Sequence, residues 1–242
     1  MTDNIVLRHR KVWENKKILR VIYTEWFEKI KKDLSSTKGI TLELGSGSGN
    51  FKEFMPDSVS SDVESYEWLD YTFDAHKMPF GDNSISNIVM IDVLHHLNNP
   101  VIFLDEAFRV LNKNGRIIMI EPFPTPFSLI IYRLFHPEPF QFNINYFTKK
   151  ELDEKLPWDS NQAIPYLIFF KNINLFETGF KNKFNILKKD KFSFILYPLS
   201  GGFENRQLIP DLFIPLFQKA EKFLSPLKSL MAFRCYIVIE KK

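Results

Sequence analysis

The chain has 242 residues, 45% of them hydrophobic, and its 32 basic and 29 acidic side chains leave a net charge of +3. That is apolar material enough for one α/β domain with elaborations, and too small an imbalance to draw the chain to nucleic acid or anionic lipid over long range. A single cysteine, Cys235, excludes an intrachain disulfide and a cysteine-rich zinc site, and its apolar neighbours predict a buried thiol. No run of about 18 apolar residues occurs and the polar N-terminus has no signal-peptide pattern, so a cytoplasmic protein is expected.

Residues 5–32 place Val12, Ile18, Leu19, Ile22, Trp26, Phe27 and Ile30 at helical spacing among charges, predicting one or two amphipathic helices flanking a sheet. Residues 40–44 read as the first strand, followed by a short helix through Phe51 and Phe54 that Pro56 stops. Further strands are read at 58–63, 68–73 and 85–91. Pro100 suits the first turn of a helix with Val101, Leu104, Ala107, Phe108 and Leu111 on one face, closed by Asn114-Gly115, and a fifth strand follows at 116–120. The alternation predicts a parallel sheet with helices on both faces.

Beyond residue 121 the pattern changes. The run Glu121-Pro122-Phe123-Pro124-Thr125-Pro126 reads as irregular, and the aromatic, proline-interrupted segment up to Phe147 reads as an insertion over the carboxyl edge of the sheet. Helices are expected at 151–156, 172–178 and 207–230, a strand within 184–197, and a last strand at 234–240. The lysines between 181 and 191 read as a solvated edge.

The stretch Thr41-Leu42-Glu43-Leu44-Gly45-Ser46-Gly47-Ser48-Gly49-Asn50 carries the chemistry. A buried strand breaks into alternate glycines, which lets the backbone approach a ligand closely. Asn50 stands where the dinucleotide fingerprint G-x-G-x-x-G has its third glycine, which argues against NAD. Ligands of such sheets lie outside the carboxyl ends of the strands, and acidic residues follow three strands in turn: Glu43, Asp62 and Asp74. A carboxylate after the second strand can accept from both ribose hydroxyls, a role read onto Asp62 with Glu64 as the second choice.

The glycine motif, together with residues 73–80, 86–97 and 108–117, resembles the class I S-adenosylmethionine (SAM) methyltransferases over about residues 38–121. The resemblance implies a Rossmann-like, mostly parallel seven-stranded sheet with helices on both faces and an antiparallel C-terminal strand. An aromatic-rich insertion would follow the fifth strand. One domain spanning 1–242 is expected, with 1–35 as N-terminal helices and 122–230 holding lid and acceptor elaborations. SAM would be the cofactor and S-adenosylhomocysteine the product. Asp74-Ala75 resembles the family's adenine pair, and Glu43, Gly45, Ser46, Gly47, Gly49, Asp62, Val63 and Ile91 complete the implied cofactor contacts.

Methyl transfer from a sulfonium needs an aligned acceptor and, for a hydroxyl, a base. His95 and His96 after the fourth strand are the candidates, with His136 in the insertion behind them. Adjacent helical histidines diverge by about 100°, so no shared metal is expected. The fourth strand is followed by Asp92-Val93-Leu94 rather than a proline-aromatic base-flipping motif, and Cys235 is far from the position of a cytosine-C5 nucleophile. A small-molecule acceptor without nucleic acid is therefore expected. The stretch 127–135 is too short to cross a bilayer but suited to a transient membrane-surface contact, which would fit an apolar or lipid-linked acceptor. The alternatives are a SAM-binding regulatory module without turnover and, more remotely, a nicotinamide oxidoreductase. Oligomeric state is not legible.

Overall fold

A computed structural model describes residues 5–135, 138–148 and 159–242. His136 and the helix expected at 151–156 lie outside the described residues. Seven strands, β1 (Ile40–Leu44), β2 (Val59–Asp62), β3 (Tyr71–Thr72), β4 (Ile85–Ile91), β5 (Leu111–Pro122), β6 (Phe184–Phe192) and β7 (Arg234–Lys241), form one sheet in the order β3-β2-β1-β4-β5-β7-β6. Strands β1 to β5 pair in parallel, while β7 lies antiparallel to both β5 and β6. This is the mostly parallel, Rossmann-like architecture expected.

Central strands covered on both faces need apolar side chains pointing both ways. Ile88, Met90, Ile117, Met119, Ile237 and Ile239 face one core, while Val89, Ile118, Ile120, Tyr236 and Val238 face the other. The first core is covered by α4 (Pro100–Val110) and by α6 (Ile164–Tyr166) and α7 (Ile173–Gly179), joined through a π-helical turn at Leu167–Lys171. The second is covered by α1 (Ile5–Asn15), α2 (Lys17–Asp33), α3 (Asn50–Phe54), α8 (Leu196–Ser200) and α9 (Ile214–Leu224). Helix α5 (Pro126–Phe135) and the short α10 (Lys228–Met231) lie beside each other past the carboxyl end of β5.

Several boundaries differ from the sequence reading for identifiable reasons. Strand β3 is only two residues long, because Trp68 stacks on Tyr66 (5.0 Å between ring centroids) and Asp70 hydrogen-bonds Ser60, which holds 66–70 as a loop. Helix α4 starts as predicted, with Pro100 in its first turn and the Asn99 side chain accepting from the amides of Val101 and Ile102. It ends at Val110 rather than at Asn114-Gly115. Strand β5 continues through Glu121 and Pro122, the start of the run read as irregular, because both pair with residues of β7 (Cys235 and Arg234). The 207–230 helix is broken into α9, α10 and two 3-10 turns.

Candidate active site

One crevice of about 1780 Å³ opens along the carboxyl ends of β1, β2, β4 and β5. The loop after β1 is bent by three glycines in the left-handed region, with φ of 65° at Gly45, 46° at Gly47 and 79° at Gly49. At Gly45 a Cβ would lie 2.4 Å from Val93 Cγ2, so the close approach of two strand ends requires glycine there. At Gly47 a Cβ would meet nothing within 4 Å; the space beside that backbone is open. Gly49 does not line the crevice and instead starts α3, with Trp68 packed against it.

The loop is stapled to β2. The Gly47 amide donates to Asp62 Oδ2 (2.9 Å), the Ser46 amide to the Ser61 carbonyl (2.9 Å), and Trp68 Nε1 to the Gly47 carbonyl (2.8 Å). The Glu64 amide donates to Asp62 Oδ1 (3.2 Å), so both carboxylate oxygens are held by backbone amides beside the crevice. Burial raises the Asp62 carboxyl above its usual range, against the pull of these amides. Glu43 is buried, and its Oε2 has no hydrogen-bond partner. Burial, with Asp62 nearby and against a hydrogen bond from Ser46, pushes its pKa up to about 7.

The crevice brings together Glu43, Gly45, Ser46, Gly47, Asp62, Val63, Asp74, Ala75, Ile91, His95 and His96. Val63 is an exposed apolar side chain beside Asp62. Asp74 accepts from the His76 amide (2.9 Å) and ring Nδ1 (2.6 Å) through Oδ1, with 57% of its side chain open to solvent.

His95 and His96 sit in a single 3-10 turn, Leu94–His96, directly after β4. Their rings do not diverge as the sequence reading assumed. The centroids are 4.2 Å apart, because each ring swings about its own side-chain torsions toward the Glu138 carboxylate. His95 Nδ1 donates to Glu121 Oε2 (2.7 Å), and Glu121 Oε1 accepts from the amides of Val93 (2.9 Å) and Leu94 (2.7 Å). Burial alone would lower the His95 pKa; Glu121 and Glu138 outweigh it and push it up to about 9. Next to this turn, Asp92 (φ 58°) is ion-paired with the buried Arg234.

Sequence reasoning missed Glu121, Glu138, Asp92 and Arg234. Glu121 obeys the rule that picked Glu43 and Asp62, an acid at the carboxyl end of a strand, and was passed over because its strand was ended one residue early. The N-terminal helix α1 flanks the sheet as expected, Trp13 packing in the second core. Its first turns also reach the crevice, where Ile5, Val6 and His9 line the wall, held there as His9 (2.6 Å) and Arg8 bind Glu204.

Residues 42–119 match the family model of a methyltransferase domain. Over 92% of the chain, and 94% of the other, the fold follows the crystal structure of a SAM-dependent methyltransferase from Archaeoglobus fulgidus, at 14% identity and a TM-score of 0.56. A SAM-dependent methyltransferase from Aquifex aeolicus aligns more loosely (15% identity, 89% of this chain and 88% of that one, TM-score 0.46). No curated protein matches the sequence. Residues 42–119 thus match a methyltransferase domain, and the fold is the one found in the class of SAM-dependent methyltransferases. S-adenosylmethionine is the cofactor this class implies. The site fits a ligand with a cationic amine and a ribose: Glu43 carries a buried, unsatisfied acceptor, Gly47 leaves its backbone open, and Asp62 is fixed at the end of β2.

Proposed function

We propose that the protein methylates an apolar small molecule, held in the half of the crevice walled by α5, α8 and α9. The carrying observation is the size and lining of the crevice. About 1780 Å³ exceeds the roughly 300–1,000 Å³ of a single-ligand pocket, and beyond the cofactor half the walls include Phe127, Ile131, Phe135, Leu208 and Phe217. Phe127, Phe135 and Leu208 are also solvent-exposed, so the mouth itself is apolar. Ile130 and Leu134 extend that exposed face along α5, which suits an acceptor presented at a lipid surface. No helix among the described residues is long and apolar enough to cross a membrane.

When bound, SAM supplies a methyl group already activated on a sulfonium. The protein's part is then alignment, exclusion of water and handling of a proton. Glu43, the 45–47 backbone and Asp62 would hold the amino acid and ribose ends, with Val63, Asp74 and Ala75 toward the adenine and Ile91 beside them. His95, its Nδ1 held by Glu121, would act as a positioning group rather than a base; His96, half-buried beside it, lines the same crevice. The family match gives no support to a module without turnover.

The test is incubation with methyl-labelled SAM and a cell extract, followed by partition into organic solvent. Label in the organic phase is the expected result. Label confined to the aqueous phase would remove the apolar acceptor, and no transfer at all would remove the activity.

A further inference from the structure

We propose that His95, His96 and Glu138 bind one divalent transition-metal ion of the zinc type at the acceptor side of the crevice. The site itself stands independently of the reading above; its role there rests on that reading.

Three donors converge. His95 Nε2 lies 3.5 Å from Glu138 Oε2 and His96 Nε2 lies 3.8 Å from Glu138 Oε1, and one ligand atom from each residue falls within 4.8 Å of the others. These gaps are longer than good hydrogen bonds. They are close to the roughly 3.4 Å that separates ligand atoms about 2.1 Å from a tetrahedral zinc ion. Two imidazoles and a carboxylate, with the rest of the coordination sphere facing a cavity, is the donor set of an open, substrate-accepting zinc site rather than of a closed structural one.

The surroundings orient the donors as metal ligands require. A ligating histidine normally gives its other ring N–H to a carboxylate, which fixes the tautomer. Glu121 does this for His95 at Nδ1 (2.7 Å), and Glu121 is itself held by the amides of Val93 and Leu94, so Nε2 is the nitrogen aimed at Glu138. Glu138 is steered from the other side by Gln162 Nε2, which donates to its Oε2 (3.0 Å). The Asn161-Gln162 turn also binds the His95 carbonyl (2.9 Å) and the Pro139 carbonyl (3.0 Å), clamping the Glu138 segment against the histidine turn. The neighbouring trio Asp92, His95 and Glu121 is not the site, because Glu121 is already committed to the ring N–H and two amides. An ion in this place would acidify an acceptor hydroxyl.

The full chain, stripped with a chelator and dialysed, is titrated with Zn²⁺ by calorimetry and with Co²⁺ for its visible spectrum. The expected result is about one ion per chain, with the intense Co²⁺ bands of a four- or five-coordinate nitrogen and oxygen site. His96→Ala and Glu138→Gln should each weaken Zn²⁺ binding at least tenfold, and Glu121→Gln about 10–100-fold through the lost orientation of His95. Circular dichroism checks that each variant is folded, and Glu138, partly exposed, is the safer substitution if His96→Ala is not. A wild-type chain that takes up no Zn²⁺, or a folded Glu138→Gln variant that binds it as tightly, would overturn the site. Thermal shift with SAM on the same samples reads the functional proposal separately: a chain that binds metal but not SAM refutes that proposal and leaves this one standing.

Discussion

Arg234, at the start of β7, reaches across the carboxyl edge of the sheet to pair with Asp92 at the end of β4, two residues that are 142 positions apart in the chain. The arginine side chain is 4% exposed, and its guanidinium carbon lies 4.4 Å from the Tyr197 ring centroid. Asp92 adopts a left-handed backbone that a non-glycine residue rarely takes. Its amide bonds the Ile120 carbonyl (2.9 Å) and its side chain bonds the arginine, so the unfavourable conformation is held from two sides.

Arg234→Met should therefore destabilise the fold by about 3–5 kcal/mol, the cost of leaving one partner of a buried pair uncompensated. The lower end is expected, since Asp92 keeps 27% of its side chain in water. Urea unfolding of variant and wild type measures it, and a loss below 1 kcal/mol would make the pair a surface one in energetic terms.

Gly47→Val separates binding from folding. An added Cβ meets no protein atom within 4 Å, so the stability loss should be mainly the left-handed backbone strain, about 1–3 kcal/mol. SAM affinity should fall at least tenfold, because the side chain enters the space proposed for the cofactor. Gly45→Val should instead fail on stability, its Cβ meeting Val93 at 2.4 Å. Calorimetry and thermal melts on both variants decide this; unchanged SAM affinity in Gly47→Val would make the loop a structural turn.

Glu43 predicts a pH dependence. Its pKa is raised to about 7 in the folded chain against 4.5 for an ordinary glutamate, so the native state holds the proton more tightly than the unfolded state. Its contribution to stability is complete below about pH 4.5 and is lost as pH rises through about 7, a swing of up to about 3 kcal/mol. Glu43→Gln should flatten that part of the stability profile. SAM, bringing a cation to the ionised carboxylate, should bind more tightly as pH rises through the same window and release a proton below it. Titrations in buffers of different ionisation enthalpy would detect that proton; its absence would take Glu43 out of contact with the cofactor.

Asp74→Ala should weaken SAM and S-adenosylhomocysteine equally, by about 1–3 kcal/mol, the value of a hydrogen bond to a charged group. Stability should move by less than about 0.5 kcal/mol, since the side chain is mostly exposed and its hydrogen bonds among the described residues go to nearby His76. Calorimetry with both ligands checks it, and unchanged affinity would assign the adenine contact elsewhere.

Local patterns made the strand ends around the crevice readable. Alternating apolar residues marked the strands, glycines with left-handed φ marked the turn, and acids at strand ends marked the crevice. The acceptor half depends on pairings between distant residues. Pro122 is a strand residue only because Arg234 lies opposite, and Glu138 reaches the histidines only because the turn at 161–162 pins it. Nothing local in the neighbourhood of either residue announces this. The divergence expected of His95 and His96 failed likewise, because a distant carboxylate reorients both rings.

The position of β7 has a consequence for biosynthesis. It lies in the interior of the sheet, between β5 and β6, yet it is the most C-terminal of the described strands. While a ribosome is still making the residues before it, β5 has one open edge and β6 has no neighbour to pair with, so the sheet cannot close until residues 234–241 emerge. A nascent chain stalled short of that point would present an unpaired, strongly apolar β5 edge, the kind of surface that chaperones hold and that aggregation exploits.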